Sequence, residues 1–262
     1  MINIYEGGIT PGIDTPLIKP VVREVPLEMI LAFPPGGIEI DRGYVDDVDS
    51  QIQEDQSSYR LGNTAASTWE AIVKIPGNYT KVAQHSIEAS WIAQQFGKMY
   101  GLSKEQNSVL AIAMLNHDVG QMDIASLINK EKEFTKDELI LSARHTEYGH
   151  RFLSDMNFPK TVRNVALEHH SSYKELSGYP DEERLFITMG TLADKYAAAR
   201  DVNRRYKPVQ ANWKAFYNIV SDKEEICEPK LFGLFEQFCK YIEELESKYG
   251  NVTIFEIAQL KE

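Results

Sequence analysis

The stretch Ser103-Lys-Glu-Gln-Asn-Ser-Val-Leu-Ala-Ile-Ala-Met-Leu-Asn-His-Asp-Val-Gly-Gln121 opens as a helix and closes on a histidine beside an aspartate. Ser103 with Gln106 is a capping box, in which each side chain satisfies the other residue's backbone amide. Val109, Leu110, Ile112, Ala113 and Leu115 follow at helical spacing, so the spacing predicts a buried helix that runs into His117-Asp118 and stops near Gly120. Neighbouring side chains on a helix point roughly 100° apart. His117 and Asp118 can therefore serve one centre only if the helix frays there or the carboxylate bridges two ions. Gly120 permits the first, and a short carboxylate allows the second.

On either side of this pair, five of the six histidines and two aspartates form one ordered series: His85, His117-Asp118, His145, His169-His170 and Asp194. Imidazole nitrogens mixed with carboxylates suit iron, manganese, zinc or nickel better than calcium or magnesium. The series predicts a buried metal centre. His150 lies five positions after His145 and is turned away from that face. Two metal ions a few ångströms apart can activate a water while polarising a phosphoryl oxygen, which points to phosphoester hydrolysis.

The surrounding pattern is helical. Val82, Ile87, Trp91, Ile92, Phe96 and Met99 make an apolar stripe that ends at Gly101. Thr135 with Glu138 repeats the capping box ahead of one helix carrying Leu139, Ile140, His145 and Phe152. Pro159 opens the next, which carries Val162, Val165 and Leu167 to His169-His170, and helices over 185–199, 213–220 and 231–249 complete the set. We expect residues 67–262 to be an all-α helical bundle. Residues 1–66 read differently, because six of the eleven prolines lie before residue 40 and proline removes backbone donors. An extended or partly β arm is expected there, with Gly37-Ile38-Glu39-Ile40 and Leu17-Ile18-Lys19 as small strands and an acidic, solvated stretch over 41–55.

Composition bounds the function. With 43% hydrophobic and 26% charged residues, the 262-residue chain has the make-up of a soluble globular protein. Its longest apolar run, from Val109 to Leu115, is too short to cross a bilayer, and the amino terminus lacks a basic region followed by an apolar one. A cytoplasmic location is expected, and Cys227 and Cys239, without metal-binding or disulfide spacing, are consistent with it. The net charge of −11 argues against DNA or RNA as a partner. An anionic small substrate remains compatible if metals and local cations supply the positive field.

The order H…HD…H…HH…D resembles that of the HD superfamily of metal-dependent phosphohydrolases. Gly178-Tyr179-Pro180 is similar to the signature of its HD-GYP subfamily, the bacterial cyclic di-GMP phosphodiesterases. His145-Thr-Glu-Tyr-Gly149, Ala193-Asp194-Lys195-Tyr196 and Arg204-Arg205-Tyr206 resemble that subfamily's H-x-x-x-G, A-D-x-Y and R-P-Y elements, over about residues 80–220. The resemblance implies an HD-domain helical bundle around two divalent transition metals, iron or manganese first and zinc or nickel as alternatives. His85, His117, Asp118 and Asp194 would hold one side of the cluster and His145, His169 and His170 the other, with Asp118 bridging. His117 and Asp118 form the implied catalytic pair. Gln121, Gly178, Tyr179, Pro180, Arg204 and Arg205 are the implied substrate contacts, and Arg200, Arg204, Arg205 and Lys207 read either as a phosphate clamp beside the metals or as a solvated helix end. The implied partners are a cyclic dinucleotide and a protein partner or second copy, without nucleic acid or membrane.

Three departures from the family pattern stand out. Gln121 replaces the lysine of H-D-x-G-K and carries no charge. The segment from His169 to Pro180 is one residue longer than the family's and lacks its first acidic residue. Lys81 stands where some members place a glutamate for a third metal, which favours two metals. The competing readings are an HD-type di-iron oxygenase and a catalytically weakened nucleotide-binding signalling protein.

Overall fold

The computed structural model describes residues 38–40, 69, 70, 72, 73, 79–128, 130, 132–200, 215–217, 219 and 223–249, and no strand occurs among them. The first long helix, α1 (Tyr79–Tyr100), ends where the apolar stripe ends. Gly101 takes a positive φ of 93°, and the amides of Gly101 and Leu102 both return to the Gly97 carbonyl. The Ser103–Gln106 capping box then starts α2 (Lys104–Asn116). This helix is apolar on almost every side, and nine of its thirteen residues are buried. It is consequently the centre of the bundle, with α1 packed along one side.

After α2 come a 3₁₀ segment (Val119–Ile124), the short α3 (Ala125–Ile128), α4 (Lys136–Ala143), α5 (His145–Asp155) and α6 (Lys160–Glu168). A second 3₁₀ turn (Glu175–Gly178) leads into α7 (Asp181–Arg200), followed by α8 (Lys223–Ile226) and α9 (Pro229–Tyr249). Helix α7 packs on α1 and α6, and α6 packs on α2 and α5. Phe235 and Phe238 of α9, both fully buried, meet Phe96 of α1 and Tyr196 of α7 with ring centroids 5.4–6.3 Å apart. Helix α9 therefore closes the same core.

Three sequence expectations are corrected. The helix after Thr135 is two helices, because the chain turns at Arg144, whose amide bonds to the Leu141 carbonyl in a tightened last turn. Leu139 and Ile140 lie on the first of them and are 56% and 68% exposed. Helix α2 stops at Asn116, earlier than expected, and Gly120 sits inside the 3₁₀ segment instead of ending a helix. Residues 38–40 are not a strand: Ile38 is buried in the core, and the Gln94 side chain accepts from the Glu39 amide at 3.1 Å while donating to its carbonyl at 2.6 Å. That side chain does what a neighbouring strand would have done. The other expected strand, the acidic stretch over 41–55 and residues 204–207 lie outside the described residues.

Gly120 is required by close approach. A Cβ there would lie 2.0 Å from the His145 carbonyl oxygen and 2.4 Å from the Gly149 nitrogen, both backbone atoms of α5. Nothing flexible can yield. We expect Gly120→Ala to destabilise the protein by about 3 kcal/mol, the upper end of the usual overpacking range, whereas Gly178→Ala, which meets open space, leaves stability nearly unchanged. Urea unfolding of both variants checks this, and matching midpoints for wild type and Gly120→Ala would overturn the account.

Candidate metal centre

Three of the histidines stand at helix ends. His117 is the C-cap of α2, His169 is the C-cap of α6, and His145 directly follows Arg144, the C-cap of α4. The last carbonyls of a helix lack an amide partner within it. Here ring nitrogens take that place: Nδ1 of His117 reaches Met114 O at 2.7 Å, Nδ1 of His145 reaches Ser142 O at 2.6 Å and Nδ1 of His169 reaches Ala166 O at 3.0 Å. A carbonyl only accepts, so in each case Nδ1 holds the hydrogen, and a neutral ring presents a bare Nε2. Helix end and tautomer are set by the same bond.

His85 and Asp194 come instead from the middles of α1 and α7, where the two helices pack together, and His85 Nε2 lies 2.9 Å from Asp194 Oδ1. Asp118 is placed between all of these groups. Its Oδ2 is 3.6 Å from His85 Nε2 and 3.5 Å from His117 Nε2, while its Oδ1 is 3.2 Å from His145 Nε2 and 3.8 Å from His169 Nε2. Asp194 also spans the site, with Oδ1 3.6 Å from His117 Nε2 and Oδ2 3.8 Å from His170 Nδ1. All seven predicted residues are thus brought together. Six of them form two groups compact enough to hold an ion each, His85 with His117 and Asp118, and His145 with His169 and His170. Only His170 opens to solvent, its side chain 49% exposed.

The donor set fits divalent transition ions. Two buried carboxylates face histidines on both sides, and His117 Nε2 is buried without a hydrogen-bond partner. An orphaned acceptor beside buried carboxylates is costly unless a cation or proton joins it. Without metal, protons do so. Burial opposes charge on His117, but Asp118 and Asp194 overcome it and raise its pKa to about 9. His145 is also raised against burial, by Asp118. Burial would raise both carboxyls, yet the surrounding histidines hold Asp118 and Asp194 well below the usual carboxylate range. His169 is pushed well down, by burial first and then by the neighbouring histidines. The carboxylates thus favour protonation of His117 and His145, and burial with the neighbouring histidines disfavours it at His169.

The predicted substrate contacts divide. Gln121 is half-buried on the 3₁₀ segment after Asp118, its amide bonded to the Asp118 carbonyl at 2.9 Å and its side chain without a hydrogen bond among the described residues. The Tyr179 hydroxyl donates to Glu168 Oε1 at 2.7 Å, and burial with that carboxylate raises its pKa to about 12. Pro180 precedes α7, and its carbonyl accepts from the Arg184 amide at 2.9 Å. The Arg200 guanidinium lies 5.6 Å over the buried Tyr196 ring. Arg204, Arg205 and Lys207 are outside the described residues. Sequence reading missed Glu168, although an acid directly before the His169-His170 pair was a visible signal. It also missed Tyr173 and Glu228, whose hydrogen bond joins residues 55 apart.

The protonation pattern predicts how metal affinity depends on pH. A histidine whose pKa is raised to about 9 stabilises the metal-free fold below the ordinary value near 6.5, and that contribution is lost as pH rises through 9. An incoming ion must displace the proton, so affinity should climb between pH 7 and 9 by up to about tenfold per pH unit for each proton released. Chelator competition at several pH values measures this, and a flat profile above pH 7 would contradict the assignment of the proton to His117.

Residues 63–185 match the HD domain family model. Among solved structures, the chain is similar to the HD domain of the L. monocytogenes phosphodiesterase PgpH in complex with cyclic-di-AMP, with a TM-score of 0.51 and 18% identity over 71% of this chain and 99% of that one. A second structure of the PgpH HD domain gives a TM-score of 0.49 and 16% identity over 69% of this chain and 97% of that one. No curated protein sequence matches the chain. The matched stretch carries six of the seven clustered residues, His85, His117, Asp118, His145, His169 and His170, and Asp194 lies beyond it on α7.

Proposed function

We propose that the protein is a metal-dependent phosphodiesterase that hydrolyses a cyclic dinucleotide. The observation that carries this reading is Asp118, whose two oxygens face two different sets of histidines. A carboxylate so placed is suited to bridge two ions, with His85, His117 and Asp194 on one side and His145, His169 and His170 on the other. Bound there, iron or manganese would supply the Lewis acidity that acidifies a water and draws charge from a phosphoryl oxygen. The chain's own part is to present bare Nε2 atoms, keep the carboxylates ionised and bury the site on every side but that of His170.

Substrate class follows from charge and from the likeness to known domains. In a chain of net charge −11, ions at the cluster would be the main attraction for an anionic phosphodiester. The Gly178-Tyr179-Pro180 loop supports cyclic di-GMP, and the similarity to a domain solved with cyclic-di-AMP supports that dinucleotide as the alternative. No helix among the described residues is long and apolar enough to cross a membrane, which is compatible with a cytoplasmic enzyme.

Two measurements test the proposal. Protein prepared with iron or manganese should carry about two equivalents by elemental analysis, matching the two ligand groups, and should turn over cyclic di-GMP or cyclic di-AMP in a chromatographic assay. Asp118→Ala should lose more metal than His85→Ala because a bridging ligand serves both ions, and undiminished metal in Asp118→Ala would refute the bridge. Gln121→Lys would place a charge beside the expected phosphate, worth on the order of 1 kcal/mol, or several-fold in KM. An unchanged KM for every cyclic dinucleotide would show that residue 121 does not face the phosphate.

A further inference from the structure

We propose that Glu168 is a positioning residue that locks the loop of residues 171–180 as a fixed wall of the substrate site, an inference that rests on the phosphodiesterase reading above. Glu168 is the last residue of α6, immediately before His169 and His170. Its Oε1 accepts from the Tyr179 hydroxyl at 2.7 Å and its Oε2 accepts from Ser171 Oγ, while its carbonyl accepts from the Ser171 amide at 2.8 Å. One carboxylate thus ties the first residue of the loop to the ninth. Between these ends the loop is filled: Leu176 is buried in the core, and the Ser172 amide and hydroxyl both donate to Glu175 Oε2 at 2.7 Å.

The outer side of the loop is held by the carboxy-terminal helices. The Tyr173 amide donates to the Glu225 carbonyl, its hydroxyl donates to the Glu228 carboxylate, and the Arg184 guanidinium lies 5.2 Å over its ring. A segment anchored by Tyr179, Leu176 and Tyr173 is a preformed surface rather than a flap. His170 depends on it. That residue lies beyond the end of α6 and is half exposed, so its ring, 4.0 Å from the His169 ring, is placed by the chain that continues into Ser171. Tyr179 cannot donate its hydroxyl to a ligand while Glu168 holds it, so its contribution to the site is the shape of the wall.

Kinetics and amide exchange on the metal-loaded full-length protein test this. Glu168→Ala and Tyr179→Phe should each raise KM for the cyclic dinucleotide about five- to tenfold, the effect of one or two lost charge-assisted hydrogen bonds. The rise should be much smaller for bis(p-nitrophenyl) phosphate, which has no nucleosides to rest against the wall. The double variant should be little worse than either single one, because both remove the same contact, and Glu168→Gln, which keeps a carbonyl acceptor, should recover part of the loss. Hydrogen exchange over residues 171–180 should quicken in Glu168→Ala while that of α1 and α7 stays as in wild type. Unchanged loop exchange, or equal loss on both substrates together with lost metal, would overturn the proposal. If Glu168→Ala fails to fold, Tyr179→Phe alone decides, through the same KM comparison and loop exchange. A wild type inactive on all cyclic dinucleotides would sink the phosphodiesterase reading instead, and loop exchange would still decide whether the latch exists.

Discussion

Two carboxylates buried among five histidines constrain everything else in this molecule. Asp118 and Asp194 are withdrawn from water and lie within hydrogen-bond or ion-pair distance of imidazoles on both sides. Such an arrangement is stable only if positive charge is present between the groups, because an unpaired charge in a protein interior is far costlier than an unpaired amide. The carboxylates raise the proton affinity of His117 and His145 toward that need, and divalent ions would meet it better. The backbone is arranged around that need. Helices α2, α4 and α6 all terminate at the cluster, where their carboxy-terminal ends carry partial negative charge and their last carbonyls hold the histidine rings.

The same carbonyl contacts explain how neighbouring residues serve one centre. On a continuous helix His117 and Asp118 would diverge, as would His169 and His170. In both pairs the first histidine is a helix C-cap and the second residue has left the helix, so each can turn toward the cluster. What holds the loosened segment after Asp118 is the absence of a side chain at Gly120, which lets the 3₁₀ turn lie directly on the first turn of α5 and so brings His145 within 3.2 Å of Asp118. Precision at the site thus comes from backbone packing.

Much of this was legible in the sequence, for identifiable reasons. The capping boxes at Ser103 and Thr135 and the left-handed stop at Gly101 are local, and local chemistry is what sequence shows best. The histidine–aspartate series was legible because its members are rare residue types in a fixed order. The break at Arg144 was hidden because α4 and α5 share one apolar period although only the second packs into the core, its inner face formed by His145, Gly149 and Leu153. The role of Gly120 was mistaken because a glycine after a helical run reads as a stop, and a close approach by α5 leaves no trace in neighbouring residues. The clamp on Tyr173 could not be read at all, since Glu225 and Glu228 are distant in sequence and ordinary in type.

The separation between these two kinds of contact has a consequence for specificity. The metal-side residues are held by helix ends and by a glycine against backbone, and few substitutions there leave the geometry intact. The loop over 171–180 is held at its rim by side chains, Glu168 to Tyr179 on one side and Tyr173 to Glu228 on the other, besides single backbone bonds from Ser171 to Glu168 and from Tyr173 to Glu225. Side-chain contacts can be exchanged singly without disturbing the helices, so a wall of this kind can change length or lose an acid while the cluster behind it keeps its form. The extra residue in this loop and the serine at position 171 fall on that adjustable side, while the uncharged Gln121 projects from the 3₁₀ segment after Asp118. Ser171 and Gln121 each adjoin a member of the cluster through the backbone, Ser171 next to His170 and Gln121 through its amide on the Asp118 carbonyl, but none of the three supplies one of the seven side chains that meet at Asp118 and Asp194.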